Sequence, residues 1–482
     1  MTQPFQYTFP EYSISFVTLG CAKNEVDSDK MRARVRAAGF IESEDPADAD
    51  VVVVNTCSFI TEATEESLAT ILEVLALPRL LEGAAKLVVT GCMPARYGAE
   101  LAAGLPEVAA FVSCAEEERI VEVIGELFDR AGADDDVDDV GVAGAAGAAG
   151  SADGAAGNAP DPAPAFAAST LLAVPSRTIS APWAYVKIAD GCDRCCSFCT
   201  IPRIRGRYRS VPAREIIAEV AELVGGGVRE VVLIAQDTGL WHDEGDVCNL
   251  PKLLEALAAR FPTTWLRVMY LQPQGITDEL LAVMGRHANI CNYLDIPLQH
   301  ASARVLGDMN REGSGAAWLA LLARIRAALP DVALRTTVIA GFPGETRSEA
   351  RELERFIEQA AFDYVGVFAY SQEDGTVAGR REDQVPLRTR KARAQRLRDV
   401  ADVSGFAKVA ARVGMSEQVL VVGTDEDEWD GSHPVLGRTQ RQAPEVDGMV
   451  HLEQGNSGEL VFATMTEAYC YELDGKVEDT HD

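Results

Sequence analysis

The chain has 482 residues, of which 47% are apolar, and it carries a formal net charge of −30. This length exceeds one ordinary domain, so we expect about two to four domains with well-formed cores. No apolar run is long enough to cross a bilayer, and the N-terminus lacks the basic and apolar regions of a secretory signal. The composition therefore favours a cytoplasmic protein without a membrane segment, and its acidity disfavours general nucleic-acid binding.

Residues 1–130 alternate short apolar runs with helical patterns, a rhythm that is typical of βαβ units and therefore predicts a parallel sheet. The strands predicted here are Ile14–Leu19, Val51–Val54 and Leu87–Val89, and the helices are Val26–Ala38 and Glu62–Leu75.

A cysteine follows each of these three strands within a few residues, namely Cys21, Cys57 and Cys92. Successive parallel strands end at the same edge of a sheet, so the three thiols are expected to converge. Convergent thiols in a reducing compartment indicate a metal cluster. The alternative is three buried cysteines that act as small apolar residues. Cys114 also follows an apolar run, but its spacing breaks the pattern.

Residues 131–172 form a predicted disordered linker. Positions 131–170 hold seven aspartates and no lysine or arginine, with few large apolar side chains. Such a segment cannot bury enough apolar surface to offset the entropy lost on ordering.

Residues 173–411 repeat the βα rhythm about six times, which predicts a complete or partial (β/α) barrel. The predicted strands are Ala184–Ile188, Glu230–Ile234, Leu266–Tyr270, Asn292–Ile296, Ala333–Ile339 and Tyr364–Phe368, and helices such as Ala213–Val224 and Gly315–Ala328 separate them. Residues 412–482 instead show short β-rich runs between turn residues, which predict a small all-β barrel. These runs are Gln418–Val422, Met449–Leu452 and Glu459–Ala463.

Directly after the first barrel strand, Cys192, Cys196 and Cys199 have the spacing C-x3-C-x2-C. Three thiolates on one loop can hold a 4Fe-4S cluster and leave its fourth iron open. An open iron can chelate the amino and carboxylate groups of S-adenosylmethionine, whose cleavage releases a 5′-deoxyadenosyl radical. Cys195 creates a second C-x2-C pair, which leaves a zinc site as the weaker alternative.

The cysteine loop resembles the signature of the radical S-adenosylmethionine superfamily, in which an aromatic residue precedes the last cysteine, as Phe198 does here. The stretches LGCAKNEVDSD, VVNTCSF and VTGCMPARY resemble the N-terminal domain of the methylthiotransferases within that superfamily. The resemblance implies a second 4Fe-4S cluster at Cys21, Cys57 and Cys92 that handles sulfur. It also implies that the C-terminal barrel is of the TRAM type.

Further cofactor contacts are expected at the ends of the barrel strands, where the active sites of such barrels lie. Gln236 and Asp237 follow the second strand, Gln299 follows the fourth, and Arg335 lies in the fifth. Gly341 and Glu345 belong to the turn GFPGET, which can approach an adenosine closely. A purely structural role is the alternative for each of these residues.

Charge helps to choose between two branches of the family. The MiaB-like branch modifies an isopentenyladenosine in tRNA, and the RimO-like branch modifies an aspartate of the twelfth small-subunit ribosomal protein. From Arg412 to Asp482 there are four basic and sixteen acidic residues, and Asp425–Asp430 reads DEDEWD. Such a barrel repels phosphates and attracts a basic protein.

The stretches YLDIPLQHAS, RTTVIAGFPGET, YSQEDGT and RTQRQAPEVDG also resemble the RimO-like pattern. We therefore expect radical addition of a methylthio group to the β-carbon of that aspartate. Such a reaction needs a low-potential electron donor and a sulfur source, and tRNA is not the expected substrate. A non-catalytic iron–sulfur scaffold that docks through the acidic barrel is the alternative from another class.

Overall fold

The computed structural model describes residue 9 and residues 12–133, 177–243, 248–424 and 435–478. The predicted linker, from residue 134 onward, and the acidic segment Asp425–Asp430 lie outside these residues. Packing divides the chain into two compact units. The first contains Met1–Gly20, Asp27–Ser58 and Ala63–Arg177, and the second contains Cys21–Val26, Phe59–Glu62 and Thr178–Asp482.

The first unit contains a five-stranded parallel sheet, as the sequence predicts. The strands are β1 (Ser13–Thr18), β2 (Ile41–Glu42), β3 (Val51–Thr56), β4 (Lys86–Gly91) and β5 (Ala110–Ser113). Their spatial order is β2-β1-β3-β4-β5. The helices that connect or follow them are α1 (Ala22–Ala37), α2 (Thr61–Leu75), α3 (Pro78–Leu81), α4 (Cys92–Tyr97), α5 (Ala99–Gly104) and α6 (Ile120–Ala133).

Both faces of this sheet are buried, which explains why β3 is a run of four valines rather than an alternating strand. Val51 and Val53 pack into one apolar cluster with residues of α1 and α6. Val52 and Val54 pack into a second cluster with residues of α2 and α4. The edge strands β2 and β5 are short and less buried, and the sequence reading missed them.

The second unit contains six parallel barrel strands, which confirms the predicted partial (β/α)6 barrel. They are β6 (Trp183–Lys187), β9 (Glu230–Ile234), β12 (Trp265–Val268), β13 (Tyr293–Asp295), β14 (Ala333–Ala340) and β15 (Tyr364–Ala369). They form two sheets, ordered β12-β9-β6 and β13-β14-β15. A parallel bridge between Leu266 and Ile290 joins the two halves.

The helices of this unit, apart from the short helix Ile201–Ile204, share one large apolar cluster with these strands. The helices are α7 (Ile201–Ile204), α8 (Ala213–Gly225), α9 (Leu250–Arg260), α10 (Asp278–Arg286), α11 (Ala303–Asp308), α12 (Gly315–Ala328), α13 (Arg347–Ala360) and α14 (Leu387–Ala410). Two minor strand pairs are β7 (Ala189–Asp190) with β8 (Arg209–Ser210), and β10 (His242–Asp243) with β11 (Cys248–Asn249).

The C-terminal strands close into a five-stranded barrel, which confirms the predicted small all-β domain. They are β16 (Ser416–Thr424), β17 (Val435–Thr439), β18 (Val450–Leu452), β19 (Leu460–Tyr469) and β20 (Glu472–Val477). The closed order is β16-β17-β18-β20-β19. No helix among the described residues is long and apolar enough to cross a membrane.

A buried ion triad links the small barrel to two strands of the large barrel. Glu230, at the start of β9, lies 2.7 Å from Arg267 of β12 and 2.7 Å from Arg438 of β17. Their side chains are at most 1% exposed. Burial alone would raise the pKa of Glu230, but Arg438 and Arg267 hold it below its usual value. The triad therefore stays charged.

We expect Glu230→Ala to lower the free energy of unfolding by about 3–5 kcal/mol, because it leaves two guanidinium groups buried without a counter-charge. Urea denaturation followed by circular dichroism measures this loss. The matched control is Glu255→Ala, whose partner Arg286 is 55% exposed. An exposed pair contributes about 0–1 kcal/mol, so equal losses for the two variants would contradict the prediction.

Candidate active site

The loop with Cys192, Cys196 and Cys199 follows β6 and β7, and so begins at the carboxyl end of the first barrel strand. Gly191 precedes it with a φ of +75°, and a Cβ atom there would lie 2.1 Å from the carbonyl oxygen of Arg207. The amide of Cys192 donates to the carbonyl of Gly206 at 3.1 Å. The chain enters the loop through a conformation that glycine alone accommodates.

The middle of the loop is held by the segment that follows α11. The amide of Ser197 donates to the carbonyl of Met309 at 3.0 Å, and its hydroxyl donates to that of Asp308 at 2.7 Å. Asn310 donates from its side chain to the carbonyl of Cys195 at 3.0 Å. Cys195 has a left-handed φ of +50° and is exposed, whereas Cys196 is partly buried. This separates the extra cysteine from the predicted ligands.

Two of the three predicted ligands, Cys192 and Cys199, are disfavoured as free thiolates. Burial first, and then the neighbouring Cys196 and Cys192, raise the pKa of Cys199 to about 12. Burial likewise raises the pKa of Cys192, with a further contribution from Cys196. Arg311 approaches the sulfur of Cys196 at 3.9 Å. A loop that gathers three thiols in this way fits a cationic metal centre, which stabilises all three thiolates at once.

In the first unit, the strand register places Cys57 and Cys92 at neighbouring strand ends. The last register pair of β3 and β4 is Thr56 with Gly91, so each cysteine comes one residue later. Both side chains are buried, while Cys21 is exposed and belongs to the second unit. Among the described residues, no three metal-binding side chains lie close enough to share one ion. The ligand roles of all six cysteines stay predictions.

Gln236 and Asp237 lie just beyond the carboxyl end of β9, as expected. Gln236 donates to Asp190 at 3.2 Å, and its own carbonyl oxygen is buried without a donor among the described side chains and backbone. Asp237 pairs with Arg194 of the cysteine loop. Burial nevertheless raises the pKa of Asp237. The oxygen of Gln236 without a donor fits a polar ligand such as S-adenosylmethionine.

Gln299 and Arg335 already have structural contacts. Gln299 has a φ of +70° and forms a parallel bridge to Val338. Arg335 lies 3.1 Å from Asp295 and 3.5 Å from Asp447 of the C-terminal barrel. Their predicted contacts with the cofactor stay predictions, as does that of Phe198, which packs against the barrel core.

The turn GFPGET is closed by its own glutamate. Glu345 accepts from the amide of Gly341 at 2.7 Å and pairs with Arg393 of α14 at 2.7 Å. Gly341 has a φ of +76°, and a Cβ atom there would lie 2.7–2.9 Å from Arg390. The glycine is thus needed for the contact with α14, whether or not the turn also meets the cofactor.

The sequence reading missed Lys23, in the first turn of α1. Its ammonium lies 3.3 Å from the ring centre of Tyr270, and the residue is 7% exposed. Burial lowers the pKa of Lys23 to about 8, so the side chain stays mostly charged at neutral pH. Its position two residues after Cys21, in LGCAKN, is the signal that a reading focused on the cysteines passed over.

Three family models match separate parts of the chain. The uncharacterized protein family UPF0004 matches residues 13–113, the radical SAM superfamily matches residues 186–357, and the TRAM domain matches residues 413–477. The solved radical S-adenosylmethionine methyltransferase TsrM from Kitasatospora setae, with cobalamin and a [4Fe-4S] cluster bound, is similar in fold. The TM-score is 0.52 at 14% identity, over 76% of this chain and 77% of that one.

Two curated relatives are similar over nearly the whole length. The ribosomal protein uS12 methylthiotransferase RimO of Geobacter sulfurreducens is 39% identical over 470 residues, which are 96% of this chain and 98% of the relative. The protein of the same name from Trichlorobacter lovleyi is 39% identical over 465 residues, which are 95% and 97% of the two chains.

We expect Gly191→Ala to prevent cluster assembly on the cysteine loop, because the new Cβ atom collides with backbone and displaces Cys192. Gly206→Ala is the matched control: its φ is +73°, but nothing lies within 4 Å of the added atom. The control should lose about 1–2 kcal/mol of stability and keep its iron. Iron and sulfide analysis of the reconstituted proteins measures the difference, and full iron content in Gly191→Ala would contradict the prediction.

Proposed function

Because the chain belongs to the RimO family of ribosomal protein uS12 methylthiotransferases, we propose that it adds a methylthio group to the β-carbon of an aspartate in that ribosomal protein. The observation that carries the proposal is the full-length similarity to these relatives, with 39% identity over 96% of the chain. The cysteine loop at the carboxyl end of the first barrel strand is where such a barrel places its reaction centre.

The cofactors of this family are S-adenosylmethionine and two 4Fe-4S clusters. When bound and reduced by the electron donor, a cluster would pass an electron to S-adenosylmethionine, and the resulting cleavage would supply the radical that removes a hydrogen no ordinary acid or base can take. Cys192, Cys196 and Cys199 would hold the cluster that supplies this chemistry. Three protein ligands leave one iron for the amino and carboxylate groups of S-adenosylmethionine.

The remaining residues of this loop orient the ligands. The bonds from Ser197 and Asn310 fix the backbone on either side of Cys196 before any cofactor binds. Gln236 offers a buried oxygen without a donor at the same end of the barrel, and we assign it to S-adenosylmethionine. A preformed site of this kind avoids the entropy loss of ordering a mobile loop on binding.

Cys21, Cys57 and Cys92 would hold the second cluster, whose chemistry would supply the sulfur atom. Two of them follow neighbouring strands at equivalent positions of the register, and that placement supports the assignment. The methyl group comes from a second molecule of S-adenosylmethionine. A low-potential electron donor and a source of sulfur complete the requirements.

The charges of the C-terminal barrel support a basic protein as the substrate rather than RNA. Arg412 pairs with Glu417, Arg438 with Glu230, and Arg441 with Asp363, so three of its four basic residues are neutralised. Within the described part of the barrel, Lys476 is the exposed basic side chain.

Acidic side chains, by contrast, are exposed on this barrel at Glu453, Glu459, Glu467 and Glu478. This surface attracts a cationic partner and offers little to a phosphate backbone. Neither the tRNA-modifying activity nor the non-catalytic scaffold gains support from the relatives described above.

Deletion of the gene should remove the methylthio group from uS12. Mass spectrometry of that protein from deletion and complemented cells measures the change, which is the replacement of one hydrogen by a methylthio group. Complementation with a Cys196→Ala variant should not restore the group. An unchanged modified mass in the deletion strain, or loss of a methylthio group from tRNA instead, would contradict the proposal.

Substitution of either one of the two cysteine sets should halve the amount of bound iron. Reconstituted wild-type protein should hold about eight irons, since each 4Fe-4S cluster contributes four. We expect about four irons after triple alanine substitution of either Cys192, Cys196 and Cys199 or Cys21, Cys57 and Cys92.

Two other cysteines are matched controls for the iron measurement. Cys195→Ala tests the exposed neighbour within the same loop, and Cys114→Ala tests a cysteine that directly follows β5. Both variants should keep about eight irons. Loss of a full cluster in either control would reassign the ligands.

A further inference from the structure

Lys23 lies at the carboxyl end of the barrel strands, although it precedes the barrel domain in the sequence. It lies in the segment Cys21–Val26, which packs as part of the second unit. Its ammonium lies 3.3 Å from the ring centre of Tyr270, two residues beyond the end of β12. Tyr270 has a left-handed φ of +61°, which is incompatible with a continuing strand, so β12 has already ended at Val268. Tyr270 therefore lies at the carboxyl edge of the strands.

Within the described part of the chain, the ammonium group of Lys23 forms no ion pair, although Cys21, Asp295 and Asp190 act electrostatically on it and raise its pKa. The residue is 93% buried, yet no hydrogen bond or ion pair involves its side chain, and the ring of Tyr270 is its recorded contact. A buried charge without a counter-charge is unfavourable, even when an aromatic ring compensates in part. An ion pair with a bound anion would stabilise this ammonium group further.

The two carboxylates that act electrostatically on Lys23, those of Asp295 and Asp190, already pair with other cations. Asp190 pairs with Lys187 at 2.9 Å and with Arg205 at 3.2 Å. Asp295 pairs with Arg335 at 3.1 Å, and its second oxygen accepts from the amide of Tyr270 at 3.1 Å. Neither side chain can turn to Lys23 without breaking these contacts, so the lysine remains available to a ligand.

The segment that carries Lys23 is held in place by its neighbour. Arg205 donates to the side-chain oxygen of Asn24 at 2.7 Å, and Asn24 is fully buried. Arg205 also pairs with Asp190, which lies just before the cysteine loop in the sequence. The position of Lys23 is therefore coupled to the loop that starts the chemistry.

We propose that Lys23 binds the side-chain carboxylate of the target aspartate and so presents its β-carbon to the radical. The inference rests on the proposed function. The carboxylate of S-adenosylmethionine would be held at the cluster of the cysteine loop, so the anion that we assign to Lys23 is that of the substrate. The β-carbon of aspartate is bonded directly to its carboxylate, so an ion pair with Lys23 fixes the reacting atom within one bond of the contact.

The test uses the full-length holoenzyme without reductant, so that binding is measured without turnover. Fluorescently labelled uS12 and a uS12 variant with asparagine at the target position are titrated against the enzyme, and anisotropy gives each Kd. Asparagine keeps the shape and removes the charge. We expect the wild-type enzyme to bind the aspartate form about tenfold to a hundredfold more tightly, as for a hydrogen bond between charged groups.

Substitutions of Lys23 then locate the source of this preference. Lys23→Met should abolish it, whereas Lys23→Arg should keep most of it. Lys408→Met is the matched control, since Lys408 pairs with Asp363 at 3.1 Å and should leave the preference unchanged. Iron content and melting temperature show whether each variant is folded.

Three results would overturn the inference. Equal affinity of wild-type enzyme for the two uS12 forms does so without any enzyme variant. An unchanged preference in Lys23→Met also does so. Weaker binding of S-adenosylmethionine to Lys23→Met, with the uS12 preference intact, assigns the lysine to the cofactor instead. If wild-type enzyme under reduction leaves uS12 unmodified, the proposed function itself fails, and this result is separate from the binding data.

Discussion

The common direction of parallel strands is the constraint on which the candidate site depends. Every strand of a parallel sheet delivers its following loop to the same edge, so residues distant in sequence gather without a long-range motif. In the first unit this places Cys57 and Cys92 at adjacent strand ends. In the second unit it places the cysteine loop, Gln236 and Tyr270 beyond the ends of β6, β9 and β12.

Gathering thiols in this way has an energetic consequence. Burial and mutual repulsion disfavour the thiolate forms of Cys192 and Cys199, so the protein alone does not stabilise its ligands in the form that binds iron. Stabilisation of the thiolates by a cluster is then part of the folding free energy of the loop. The bonds of Ser197 and Asn310 limit the backbone entropy that this assembly has to overcome.

Motifs and periodicity predicted the two βα regions, the closed C-terminal barrel and the positions of the cysteines relative to their strands. They failed where tertiary contacts decide. The predicted strand Leu266–Tyr270 ends at Val268 because Tyr270 adopts a left-handed conformation, which local sequence does not specify. The ion pairs of Arg335 with Asp447 and of Glu345 with Arg393 join residues far apart in the sequence, so the motifs that contain Arg335 and Glu345 do not reveal them.

Lys23 is a single side chain whose burial depends on tertiary contacts rather than on local sequence. A lysine two residues into a helix is ordinarily solvated, and only the packing of Cys21–Val26 into the second unit reveals that it is buried. No pattern within the α1 sequence encodes the barrel edge against which that segment packs.

The exposed surface of the C-terminal barrel is acidic, whereas the buried side chain that we assign to the substrate, Lys23, is a cation. The net charge of −30 and the exposed glutamates of the C-terminal barrel attract a basic protein electrostatically. At the carboxyl end of the barrel strands, Asp190 and Asp295 are paired with other cations, and Lys23 is the cation that we assign to the substrate. The exposed acidic surface would attract a basic ribosomal protein over a longer distance, while the proposed contact with Lys23 would act only on its target aspartate. Screening by salt weakens the first interaction much more than the second, because the buried contact lies within the low-dielectric interior.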